Sequence, residues 1–316
     1  MKQSAAPGSE YIAVVVPCYR SAKTIGLLVE RLSRVLTERG SRYQIVLIDD
    51  ASPDNTWEVL LALHMKYGTL VKCIRLARNV GQHMALQCGL GSIDTDITHV
   101  VTMDDDLQHR PEDLQPLLDA LQDADIAIAS YGKKQHAKWR NLSGGLIDRL
   151  LRHLFKLPND FQLTSFRAFR VFVAHEVVEN QTEYTYITAA ILAVSTRVVN
   201  VDVKHAARED GTSGYSLTKS LVLAANLLMT YSRIPFIIVA ATCLTSFVFT
   251  FLVMAVIFIM HFLTVESVPG WTSLMIMTGV QSTMIMAAIA IVLIYVSRTH
   301  KVLNGARASY RIADVR

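Results

Sequence analysis

Three aspartates stand side by side at Asp104, Asp105 and Asp106. Adjacent carboxylates repel one another, and without a counter-charge they raise each other's pKa or spread into a surface loop. A divalent cation resolves that repulsion, because Mg2+ or Mn2+ takes carboxylate oxygens together with the phosphates of a nucleotide. Side chains alternate along an extended stretch, so Asp104 and Asp106 point the same way and Gln108 offers a third oxygen at the same parity. The alternative is a solvated acidic turn ahead of the helix that Pro111 opens. A second acidic group, Asp49 and Asp50 with Ser52 and Asp54, could likewise cap a helix starting at Asn55. Two such groups at the ends of two apolar runs are harder to assign to capping alone.

Those runs are the elements that must position the carboxylates. Tyr11 to Val16 is a continuous apolar stretch ended by Pro17, as suits a strand buried on both faces. A helix is predicted from Lys23 to Arg39, stopped by Gly40. Strand two is Tyr43 to Ile48, followed by a helix from about Asn55 to Tyr67. Strand three is Val71 to Leu76, then a helix from about Gly81 to Leu90. Strand four is His99 to Met103, ending in the three aspartates. After a helix opened by Pro111, Ile126 to Ala129 is strand five. This βαβα alternation argues for an open, mostly parallel α/β sheet, in which ligands sit beyond the carboxyl ends of the strands. A nicotinamide-binding Rossmann domain needs a glycine-rich turn after the first strand, but here that turn is Pro17-Cys18-Tyr19-Arg20. A Walker P-loop is also absent, so a diphosphate would have to be held through a metal.

The composition points to lipid. Of 316 residues, 51% are hydrophobic and 18% charged, against about 25% charged in an average soluble domain. No Asp, Glu, Lys or Arg occurs between Arg233 and Glu266, or between Glu266 and Arg298. Each window exceeds the ~20 residues that span a bilayer core. The five basic residues from Arg298 onward, set against Asp314, account for the whole net charge of +4. That localisation excludes a nucleic-acid-binding surface spread over the fold. The expected organisation is a catalytic domain over 1–215, an amphipathic interfacial helix over 216–233 and a first span over 234–263. A short external loop follows over 264–271, then a second span over 272–297 and a basic tail over 298–316. The positive-inside tendency puts both termini and the catalytic domain in the cytoplasm, on the inner membrane. No apolar leader is expected within Met1 to Glu10. The cysteines Cys18, Cys73, Cys88 and Cys243 form no CxxC pair, which argues against a zinc site or a disulfide framework.

Four blocks carry a family resemblance: Pro17-Cys18-Tyr19, Asp49 to Thr56, Arg78 to His83, and Met103 to Glu112. Together with Arg167-Ala168-Phe169-Arg170 and Arg208 to Tyr215, they resemble family 2 glycosyltransferases of GT-A fold, in the polyprenyl-phosphate branch. The resemblance implies a cytoplasmic GT-A domain with a two-helix membrane hairpin. It implies inverting transfer of one sugar from a nucleotide diphosphate, with UDP favoured, to a polyprenyl phosphate such as undecaprenyl phosphate. It also implies dependence on Mg2+ or Mn2+, a lipid bilayer as partner, and a homo-oligomer. Pro17, Tyr19 and Asp49 match the nucleoside pocket, and Asp104 and Asp106 with Gln108 match the metal site. Asp105 stands where the family often has alanine, and Arg208 matches an arginine near the donor phosphates; Asp50, Asp104 and Asp105 join Pro17, Tyr19, Asp49 and Arg208 as the expected nucleotide-sugar-binding residues. Arg140 and Arg167 are candidates for the acceptor phosphate. Asp106 and Asp160 are the candidate catalytic carboxylates, Asp160 lying about one residue off the family spacing. The family usually has Asn-Glu after the tyrosine, whereas this chain has Arg20-Ser21. Alternatives from other classes are a polysaccharide synthase acting on another acceptor, and a catalytically inactive membrane scaffold that binds nucleotide sugars.

Overall fold

The first strand, β1 (Tyr11–Cys18), is apolar throughout because both of its faces are covered. Ile12, Val14 and Val16 point into one core with α1 (Ile25–Arg39), α2 (Thr56–Tyr67) and α4 (Leu114–Ala120). Ala13 and Val15 point into a second core with α3 (Gln82–Leu90), α6 (Val171–Glu179) and α7 (Ile187–Val194). All five side chains are fully buried, each large one contributing about 1.5–3 kcal/mol relative to exposure. The computed structural model describes residues 10–131, 142–180, 186–203, 217–232, 234–263, 270–303 and 310–316.

The remaining strands are β2 (Arg42–Asp49), β3 (Val71–Leu76), β4 (His99–Thr102), β5 (Ile126–Ser130), β6 (Arg167–Arg170), β7 (Val198–Asp202) and β8 (Ile312–Val315). They form one sheet in the order β7-β5-β6-β4-β1-β2-β3-β8. β1 pairs in parallel with both β2 and β4, β2 with β3, and β5 with β7. β6 is antiparallel to β4 and β5, and β8 to β3. The mostly parallel α/β sheet expected from the sequence is therefore present. The chain leaves β1 for β2 on one side and returns with β4 on the other, so the crevice beyond β1 lies at a topological switch point.

Local signals account for the boundaries. Gly40 ends α1 in a left-handed conformation, φ 73°, with its N–H on Thr37 O. The helix expected at Pro111 starts as a 3-10 turn, Pro111–Asp113, before α4. Gly89 lets α3 lie against the sheet: a Cβ there would stand 2.4 Å from Val15 Cγ1 and 2.6 Å from Ile48 Cδ1.

The chain divides into two compact units, Met1–Leu223 with Arg307–Arg316, and Ala224–Ala306. The second holds the end of α8 (Leu217–Tyr231), then α9 (Ile234–Leu263) and α10 (Trp271–Leu303). Within it the Tyr295 hydroxyl donates to Met229 O at 3.3 Å. Among the described residues no helix is long and apolar enough to cross a membrane. The segment expected as a basic tail is not uniform. α10 continues to Leu303, and the last residues return as β8, with Arg316 N donating to Cys73 O at 2.8 Å and Cys73 N to Arg316 O at 2.9 Å.

Candidate active site

The carboxyl ends of β1, β2 and β4 open onto one cavity of about 240 Å³, lined by Pro17, Cys18, Tyr19, Asp50, Gln82, Asp104, Asp105 and Asp106. Four loops meet there, and hydrogen bonds tie them into a ring. Asp50, at the end of β2, accepts from Val80 N at 2.7 Å and Gly81 N at 2.8 Å. Those amides precede α3, and Gly81 supplies the positive φ of 87° that aims them. Gln82, the first residue of α3, donates its side-chain nitrogen to Asp104 Oδ1 at 2.5 Å. Asp105 accepts from Tyr19 N at 3.3 Å and from the Ser21 hydroxyl, both on Oδ2. The ring closes through Arg20 N to Ser52 Oγ at 3.1 Å and Ser21 N to Thr56 Oγ1 at 2.9 Å.

Backbone strain sits in the same loops. Arg20, Ala51 and Leu107 adopt φ values of 58°, 52° and 62° beyond the ends of β1, β2 and β4. Left-handed backbone is uncommon for residues with a side chain and persists where the surroundings over-determine it. Here the ring supplies that determination.

The electrostatics follow from burial. Desolvation pushes the Asp50 carboxyl above its usual range; the Val80 and Gly81 amides oppose the rise and neighbouring Asp49 adds to it. Desolvation also raises Asp105, against the pull of Ser21 and Tyr19 N. His83, at the start of α3, is lowered to about 4 by burial and by the Arg167 charge, so it is neutral at pH 7. Asp104 is oriented from a second side by the Ser165 hydroxyl, which donates to Oδ2 at 2.5 Å.

Of the residues singled out in the sequence, Pro17, Tyr19, Asp50, Asp104, Asp105 and Asp106 converge on the cavity. Asp49 does not line it. Its carboxylate is fully buried, taking Ser52 N on Oδ1 at 3.0 Å, with Arg75 Nε 3.4 Å from Oδ2. Gln108 is turned onto Asp106, donating its side-chain nitrogen to Oδ2 at 2.6 Å. Arg167, expected at the acceptor phosphate, is 1% exposed. It donates to Thr102 Oγ1 and Thr188 Oγ1, each at 3.0 Å, and burial lowers it to about 10. A guanidinium so enclosed does not present itself to a lipid phosphate in this structure. Asp160 is exposed on the turn before Phe161 and is not among the cavity residues. Arg140 and Arg208 lie outside the described residues. Gln82, Ser21 and Ser165 were not singled out as site residues. Gln82 had a readable signal, since it opens a helix at the carboxyl end of a strand.

Among the described residues no group of three or more His, Cys, Asp or Glu side chains could hold a metal ion alone. The donor chemistry still fits one. Asp104 and Asp106 offer hard oxygens at the cavity, and Mg2+ or Mn2+ is commonly held by one or two carboxylates, with substrate phosphates and water completing the shell.

The family model described as Glycosyl transferase family 2 matches residues 13–178. The chain is 30% identical over 228 residues to the undecaprenyl-phosphate 4-deoxy-4-formamido-L-arabinose transferase of Edwardsiella ictaluri (strain 93-146), covering 72% of this chain and 69% of that protein. It is 28% identical over 255 residues to the protein of the same name in Serratia proteamaculans (strain 568), covering 79% and 77%. In fold it resembles glucosyl-3-phosphoglycerate synthase from Mycobacterium tuberculosis in complex with UDP, with TM-score 0.51 and 18% identity over 69% of this chain and 79% of that one. The same enzyme with Mn2+, UDP-glucose and phosphoglyceric acid gives TM-score 0.52 at 18% identity, with the same coverage.

Proposed function

We propose that this chain, which belongs to glycosyl transferase family 2 and is a glycosyltransferase, moves one sugar from a nucleotide diphosphate to a polyprenyl phosphate. The observation that carries the reading is the convergence of Asp104, Asp105 and Asp106 with Pro17, Tyr19 and Gln82 on one cavity at the switch point of the sheet. The names of the relatives support undecaprenyl phosphate as the acceptor, and the UDP of the structural neighbours favours a UDP-sugar.

In this reading Pro17 and Tyr19 wall the nucleoside, and Asp104 and Asp106 would hold Mg2+ or Mn2+. Such an ion neutralises charge on a departing diphosphate. Gln82 and Ser165 fix Asp104 so that it need not reorganise when the donor enters. Arg208 is proposed for the donor phosphates and Arg140 for the acceptor phosphate. A phosphate oxygen is anionic at pH 7, so the acceptor needs little help from a general base. Rate then rests on positioning, and in-line attack inverts the anomeric centre. The exposed turn position of Asp160 is compatible with that economy.

A polyprenyl tail leaves a bilayer at a cost of ~0.8 kcal/mol per CH2, so the cleft must work at a membrane face. The charge-free windows between Arg233 and Glu266 and between Glu266 and Arg298, each longer than the ~20 residues that span a bilayer core, are what support placing this part of the chain as a hairpin in the cytoplasmic membrane. β8 follows α10 and pairs with β3, which favours an even number of crossings with both termini on the cytoplasmic side. A reporter fused after Arg316 should therefore read out as cytoplasmic, and an external signal would reject this topology. The activity test is purified chain with Mg2+ or Mn2+, undecaprenyl phosphate and a panel of labelled nucleotide sugars. A lipid-linked product from one donor is expected; no product from any donor would reject the function.

A further inference from the structure

The middle aspartate of the triplet faces away from its neighbours' task. Asp104 is gripped by Gln82 and Ser165, and Asp106 by Gln108. Asp105 instead turns Oδ2 toward the loop after β1, where Tyr19 N and the Ser21 hydroxyl both donate to it. Ser21 is 3% exposed, and its own N–H is bound by Thr56 Oγ1, whose hydroxyl donates to Asp54 Oδ1 at 2.7 Å. The Asp105–Ser21 contact, with Tyr19 N beside it, thus joins the acidic turn after β4 to the loop after β1 and, through Thr56, to the loop after β2.

We propose that Asp105 is a positioning residue rather than a metal or substrate ligand: through Ser21 and Tyr19 N it holds the nucleoside wall in register with Asp104 and Asp106. Tyr19 is 45% exposed at the cavity and Arg20 has its guanidinium carbon 5.5 Å from the Tyr19 ring centroid. Neither side chain is fixed by its own packing. Their placement depends on the backbone between Tyr19 and Ser21, and three of the bonds holding that backbone to the acidic turn and to Ser52 pass through Asp105 or Arg20 N. A charge-assisted hydrogen bond is the strongest of these. This inference rests on the donor reading proposed above.

The test uses full-length wild type, Ser21→Ala, Asp105→Ala and the double variant, with Ser21→Thr as the conservative control. UDP is titrated calorimetrically in the presence of Mn2+, free Mn2+ is counted by electron paramagnetic resonance, and melting midpoints are taken on the same samples. Each single variant should weaken UDP binding about tenfold, equivalent to ~1.4 kcal/mol. The double variant should be no weaker than either single one, because one link is removed once. Ser21→Thr should match wild type, and Mn2+ uptake should be unchanged throughout. Ser21→Ala binding UDP like wild type would overturn the proposal. So would Asp105→Ala losing Mn2+ while Ser21→Ala keeps it, since Asp105 would then be a ligand. A wild type that binds no UDP rejects the donor reading instead. The link is then judged by melting, where additive single and double effects reject it and non-additive effects uphold it.

Discussion

Replacing Gly89 by alanine tests how the sheet positions the site from a distance. The added Cβ would stand 2.4 Å from Val15 Cγ1 and 2.6 Å from Ile48 Cδ1, where carbon contacts ordinarily lie at about 3.5–4.0 Å. Val15 and Ile48 are both fully buried on adjacent strands, so neither can swing into open space. α3 must therefore move off the sheet by about 1 Å. Overpacking of this kind costs about 1–3 kcal/mol, and the helix preference of alanine offsets at most ~1 kcal/mol. From the middle of that range, ~2 kcal/mol, the offset leaves a net loss of about 1–2 kcal/mol, or a fall in melting temperature of roughly 2–8 °C for a unit of this size. The same displacement travels ~10 Å along the helix to Gly81 and Gln82, whose bonds to Asp50 and Asp104 are 2.8 and 2.5 Å. The donor KM should therefore rise along with the loss of stability. Gly26→Ala, within α1, is the control, because no atom lies within 4 Å of its added Cβ; it should leave the donor KM unchanged and keep or raise the melting temperature, by at most the ~1 kcal/mol of helix preference. Gly89→Ala melting at or above wild type with an unaltered KM would refute the reasoning.

Three further outcomes are expected. Cys73→Ser should leave transfer unchanged, because the buried thiol, pushed to about 12, only donates to Leu60 O at 3.2 Å and a hydroxyl can do the same; lost activity would assign Cys73 a role the structure does not give it. Arg31→Met should lower stability at pH 7 by about 0.5–1 kcal/mol and by progressively less in acid. Arg31 holds the Glu112 carboxyl below its usual 4.5; a depressed folded pKa gives stability that is present above 4.5 and lost as pH falls through the folded value. An equal melting difference at pH 7 and pH 3 would contradict it. Deleting residues 311–316 removes β8 and bares the edge of β3, which should lower the melting temperature and promote aggregation in light scattering; a truncated chain that melts and disperses like wild type would show that β8 adds nothing.

Much of the catalytic fold was legible because burial on both faces writes itself as continuous apolar runs. β1 to β5 and the helices between them lie within a residue or two of where the sequence put them. β6, β7 and β8 were not legible. They are four or five residues long, and Arg167–Arg170 begins and ends on arginine. Only their pairing with distant strands makes them strands. The acidic triplet was legible as a cluster at the end of strand four, and the structure sets it at a cavity, but the different contacts of its three members were not legible. Parity along the chain says that Asp105 differs from its neighbours, not that a serine 84 residues away receives it. Arg167 shows the converse limit. Its type suggested a phosphate partner, whereas its place between Thr102 of β4 and Thr188 of α7 is a tertiary fact.

Anomalous diffraction from Mn2+ in crystals soaked with UDP, recorded for wild type and Asp106→Asn, bears most directly on the central claim. The account predicts one manganese peak at Asp104 and Asp106 beside the nucleotide in wild type, lost in the variant, whose transfer activity is also abolished. Nucleotide bound elsewhere, or a peak and full activity that survive in Asp106→Asn, would contradict it.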